Sequence, residues 1–145
     1  MAAQPVTDLH ALIDAYLERM ELEPHASEDG LYMLRYGSTA VVIRTLRDSE
    51  TGKRFVRFSA ATLIDFEPSE LLLEEVLRLN NEVLFGSFKV FPDNTLSFSA
   101  TIYGDHMDFE EFETALTYVI RISDEYDDIL QALAGGDRAS DLLGR

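Results

Sequence analysis

Apolar side chains recur with a helical period in three blocks of this chain and with a period of two in two others. The order of those blocks leaves few folds open. Leu9, Leu12, Ile13, Tyr16, Leu17 and Met20 fall on one helical face behind Thr7 or Asp8 as cap, and Pro24 ends the run. After a polar loop from His25 to Gly30, two strand-like runs, Leu31 to Tyr36 and Thr39 to Leu46, flank Gly37-Ser38. A third, Lys53 to Leu63, follows the polar turn Asp48 to Gly52. A helix is then expected from Pro68, in its first turn, to about Asn81. Phe85 to Phe91 and Thr95 to Tyr103 read as a hairpin around Pro92-Asp93-Asn94. In its second arm Leu96, Phe98, Ala100 and Ile102 alternate strictly with Thr95, Ser97, Ser99 and Thr101. Asp108, with Glu111 three residues on, opens a last helix that carries Phe112, Leu116, Val119, Ile120, Ile129, Leu130 and Leu133 to Gly135-Gly136.

Hairpin connections make strands antiparallel, so the expectation is an α+β fold of order α-β-β-β-α-β-β-α. It has an antiparallel five-stranded sheet with its helices packed on one side. A doubly wound nucleotide fold needs alternating strand and helix, which this order does not supply. One domain over residues 7–134 and a C-terminal tail over 135–145 are expected, with Leu142-Leu143 able to dock. In the second helix Leu72, Leu73, Val76, Leu77 and Leu79 span an arc of roughly 160°, wider than one core-facing stripe needs. That extra width predicts a second contact, most simply a partner subunit.

Charge narrows the function classes. The 145 residues carry 27 acidic and 12 basic side chains, a formal net charge of -15. Such a balance disfavours nucleic acid and anionic membrane as direct partners. With no Cys there is no thiol nucleophile and no thiolate metal site. The start lacks a basic, apolar leader, and apolar runs such as Leu71-Leu72-Leu73 are far too short to span a bilayer, so a cytoplasmic location is expected. The acid is uneven: between Arg35 and Arg57 six basic residues face two acidic ones, a local +4 that leaves -19 elsewhere. A mildly basic sheet with acidic helices follows.

Arg54-Phe55-Val56-Arg57-Phe58 interleaves basic and aromatic residues as single-strand nucleic-acid surfaces do, but the net charge opposes that use. Asp105-His106-Met107-Asp108 with Glu110 and Glu111 groups oxygen and nitrogen ligands, although helix capping already accounts for Asp108 and Glu111. Asp48-x-Glu50-x-Gly52 misplaces the glycine of a calcium loop and puts Ser59 where its last carboxylate belongs. Phosphate loops, nucleophile elbows and zinc-protease motifs are missing, so no catalytic residue, cofactor or metal is assigned.

Leu79-Asn80-Asn81-Glu82 leading into Phe85-Gly86-Ser87-Phe88, then Leu96 and the long final helix, resembles the YbjN family, of type III secretion chaperone-like fold. The resemblance covers residues 7 to 134. It implies a small cytoplasmic bacterial protein, often dimeric and without catalytic residues. Secretion chaperones of this fold hold an extended segment of a partner protein on exposed apolar patches. Their dimers pair through the second helix and the following strand, here Leu73, Leu77, Asn80, Phe85 and Phe88. The expectation is therefore a non-enzymatic homodimer that holds a segment of a cytoplasmic protein, with Arg44, Phe55 and Arg57 as candidate contacts and strand addition as one mode. The acidic helices would favour a basic partner, such as a nucleic-acid-binding protein. The alternative is a metal- or small-ligand-binding regulatory domain around His106.

Overall fold

A computed structural model describes residues 8–26, 30–37, 39–134 and 137–138. Its elements are α1 (Leu9–Arg19), β1 (His25–Ala26), β2 (Leu31–Tyr36), β3 (Thr39–Arg47), β4 (Arg54–Ile64), α2 (Glu70–Glu82), β5 (Ser87–Val90), β6 (Leu96–Tyr103), α3 (Phe109–Ala134) and β7 (Asp137–Arg138). Five strands of four residues or more form the expected antiparallel sheet, in spatial order β2-β3-β4-β6-β5. Two short strands extend it. β1 pairs with β2 where a polar loop was expected, and β7 pairs with the end of β4 where the tail was expected. Thr7 and Leu142-Leu143 lie outside the described residues.

Local chemistry sets the helix ends. The Asp8 side chain accepts from Ala11 N at 3.0 Å, capping α1. Ser69 is the cap of α2: its Oγ accepts from Leu72 N at 3.1 Å. Pro68 therefore sits before the helix instead of inside its first turn. Asp108 and Glu111 bond reciprocally, Oδ1 to the Glu111 N–H at 2.8 Å and Oε1 to the Asp108 N–H at 3.2 Å.

Alternation then divides the sheet into two faces. Val41, Ile43, Val56, Phe58, Ala60, Leu96, Phe98 and Ala100 are buried beneath the helices. Helix α3 lies along β4 and β6 and contributes Phe112, Leu116 and Val119, all fully buried. Its Phe112 ring meets Phe58 edge-on, with centroids 5.2 Å apart. Tyr16 joins α1 to α3 by packing against Phe109 and Phe112, each at 5.4 Å between centroids.

The turn from α2 into β5 is held by two residues of the Asn-x-x-x-x-Phe-Gly-Ser-Phe run. Gly86 has φ +81°, and a Cβ there would stand 2.7 Å from the Ser99 carbonyl oxygen. Asn80 reaches from α2 to the outer edge of β5. Its Oδ1 accepts from Phe88 N at 2.7 Å and its Nδ2 donates to Phe88 O at 3.2 Å. The amide thus takes the place of a neighbouring strand and closes the edge at that residue. Truncation leaves two backbone groups unpaired, so Asn80→Ala should lower stability by about 1–3 kcal/mol in urea unfolding. Asn81→Ala, at the exposed neighbouring position, should stay near parent stability.

Candidate functional site

The second sheet face carries no helix. Antiparallel register brings its residues into transverse rows. One row runs Leu31, Arg44, Arg57, Thr101, and the next toward the β3–β4 hairpin runs Leu46, Phe55, Tyr103. In the opposite direction Val42, Ser59, Ser99 and Ser87 form a row, followed by Arg35 opposite Ala40 and by Ala61, Ser97 and Lys89. A groove of about 700 Å³ opens between Val42, Arg44 and Leu46 on one side and the β5–β6 hairpin tip, Phe91-Pro92-Asp93, on the other. Ser59 and Ser97 line its floor beside Arg57.

The three contact residues expected from sequence do share this face. Arg44 and Arg57 are register partners, and Phe55 lies one row away with its ring 5.6 Å from that of Tyr103. Arg57 Nε donates to Thr101 Oγ1 at 2.9 Å, and the Ser59 and Ser99 hydroxyls bond at 2.7 Å. Sequence reasoning missed Phe91, which lines the groove, and Lys89, which shares the face; both belong to the other hairpin and stand there only because β6 lies beside β4. The Lys89 ammonium is held below its ordinary range, first by burial and then by the charge of Arg57. The basic stretch is also less one-sided than expected. Arg47 and Arg54 take the alternate parity at the strand ends, and Arg54 turns to Asp105.

The five residues expected at a dimer interface separate into two groups. Leu73 and Leu77 point outward from α2 and are 40% and 67% exposed. Phe88, only 4% exposed, packs on Phe98 in the core, and Asn80 is held by the Phe88 backbone. Phe85 is half-buried, edge-on to Tyr118 at 5.6 Å between centroids. Beside it Leu84 is 90% exposed at the lip of an apolar depression of about 440 Å³. Ile102, Ala115 and Tyr118 form its base.

Around His106 the carboxylates already have protein donors. Asp105 Oδ1 accepts from Arg54 Nε at 2.6 Å and its Oδ2 from Arg54 N at 3.0 Å. Asp108 and Glu111 cap α3, and the His106 ring lies 5.5 Å from Tyr103. Among the described residues no three His, Asp or Glu side chains group so as to hold a metal ion, and no helix is long and apolar enough to cross a membrane.

Comparison with known proteins follows the same outline. A family model described as T3SS (YopN, CesT) and YbjN peptide-binding chaperone 1, TY-Chap1, matches residues 7–142. A chain of the crystal structure of the ExsC-ExsE complex superposes with a TM-score of 0.67 at 15% identity, covering 84% of this chain and 92% of that one. An uncharacterized protein from Methanothermobacter thermautotrophicus gives 0.62 at 14% identity, covering 88% and 99%. YbjN from E. coli gives 0.55 at 16% identity, covering 87% and 90%. No curated protein matches the chain. At these identities the solved structures speak for the fold.

The Arg54–Asp105 pair fastens the start of β4 to the loop before α3. The Asp105 carboxyl is held below the usual carboxylate range, chiefly by the Arg54 N–H, with the guanidinium's hydrogen bond and charge adding and burial opposing. A depressed folded pKa contributes stability that is present above the unfolded value and is lost as pH falls through the folded one. Asp105→Asn should therefore destabilise at pH 7, and its difference from the parent should shrink below about pH 4, the unfolded carboxyl range, in thermal unfolding across pH.

Proposed function

Because the chain belongs to the family of type III secretion (YopN, CesT) and YbjN peptide-binding chaperones, we propose that it holds an extended segment of a partner protein on the open face of its sheet, as a non-enzymatic module. One observation carries this reading: the face without helices is grooved and lined by aromatic, aliphatic and basic side chains. Aromatic and Arg side chains seated in a concave surface are the types that dominate binding energy at protein interfaces. Edge addition at β5 is disfavoured, because Asn80 already occupies the outward N–H and C=O of Phe88. With that edge closed at Phe88, the reading favours a segment lying on the face, its side chains directed into the groove.

The outer side of α2 supports a homodimer. Leu73 and Leu77 fall outside the stripe formed by Leu72, Val76 and Leu79, which are buried in the protomer. Fully burying a leucine contributes about 1.5–3 kcal/mol, so a second copy across this face gains measurably from both. The acidic helices favour a partner of net basic charge at long range, and the cytoplasm is the proposed compartment. The metal reading around His106 gains no such support, since Asp105 and Asp108 are bonded to protein donors.

Phe55→Ser combined with Arg57→Ser should abolish capture of the partner from native lysate while the melting temperature stays within a few degrees of the parent. Unchanged capture would refute the surface assignment. Leu77→Glu should convert the dimer to a monomer in light scattering, and a monomer mass for the parent at micromolar concentration would refute the dimer.

A further inference from the structure

We propose that the segment held on the open face is anchored by a carboxylate: an Asp or Glu seated at Arg44 and Arg57, with an aromatic or aliphatic side chain two residues away against Phe55 and Leu46. The inference rests on the peptide-binding reading above and names the chemistry of what is bound.

Three features of the face point to an acidic anchor. Arg44 and Arg57 stand directly opposite each other on β3 and β4, where like charges are destabilising. Lys89 adds a cation to the same sheet face from β5, opposite Ser97, where burial first and the charge of Arg57 second disfavour its ammonium. Among the described residues no carboxylate forms an ion pair with any of the three. The acid that lines the groove, Asp93, accepts from Thr95 N at 3.1 Å within its own turn. Two facing arginines, with Lys89 on the same sheet face, in a chain of net charge -15 constitute a local excess that an incoming anion would relieve.

The spacing follows from strand geometry. Arg57 and Phe55 lie on one face of β4, two residues and about 6.7 Å apart. An extended segment alongside presents its own i and i+2 side chains at the same interval. A carboxylate opposite Arg57 thus places its i+2 neighbour opposite the Phe55 and Leu46 row. A carboxylate fits better than a nucleic-acid phosphate, because a polyanion also meets the field of the acidic helices over its whole length, whereas one side chain is held at short range.

The test begins with a random peptide display library selected on the full-length chain at physiological salt. Enriched peptides should carry Asp or Glu two positions from an aromatic or aliphatic residue. In one such synthetic peptide, changing the acid to its amide should weaken binding about tenfold, as should Arg57→Gln in the protein. The two changes together should cost little more than either alone. Arg57→Glu paired with a Lys-substituted peptide should restore affinity. Matched thermal unfolding of the variants controls for folding. Enriched peptides that are neutral or basic at the anchor, or additive effects, would overturn the carboxylate anchor and leave peptide binding standing. Tighter, Arg57-dependent binding of a single-stranded DNA oligonucleotide would also overturn it. If no peptide is enriched and none binds, the peptide-binding reading fails with it.

Discussion

The packing of α3 along β4 and β6 is the contact on which the arrangement depends. Phe112 against Phe58, with Leu116 and Val119 beside them, forms the centre of a core that receives α1 through Tyr16 and α2 through Leu72 and Leu79. The α3 stripe packs on the apolar parity of β3, β4 and β6, so the other parity of these strands is left uncommitted by the helix. A single helical layer leaves the second face open by construction. A second helical layer would require apolar side chains where Ser59, Ser97, Ser99 and Thr101 stand. The open face is thus a consequence of how the core is closed.

The element types, their order and the antiparallel pairing were legible in the sequence because alternation and capping are local signals. Ser97, Ser99 and Thr101 between Leu96, Phe98, Ala100 and Ile102 already specify a strand, but not that Ser97 and Ser99, on the expected polar face of a half-buried strand, are buried as well. The grouping of Arg44, Phe55 and Arg57 was legible for the same reason, since both strands belong to one hairpin. Lys89 and Phe91 were not, because their place depends on β6 inserting beside β4, a choice made by tertiary packing. The Arg54–Asp105 pair spans 51 positions and shows no local trace. Asn80 and Phe88 belong to a recognisable motif, yet the motif does not reveal that an amide is bonding a strand edge. Only the backbone geometry distinguishes that role from an interface role.

The two charge territories act over different distances. Screening at physiological salt confines an exposed charge to about 8 Å, so the acid on α3 governs the approach of a partner more than its seating. At the groove Arg44 is exposed and Arg57 half-buried, so a carboxylate meets them at contact distance, where screening by salt matters least. A partner with net basic charge and one local carboxylate satisfies both fields: attracted to the molecule as a whole, it then meets cations only where its chain lies on the sheet. A uniformly acidic partner meets the opposite order, repelled before it reaches the groove. The alternation that buries Val56 and Phe58 also sets Phe55 and Arg57 side by side on the open face, so one periodicity builds the core and spaces the contacts that read the partner.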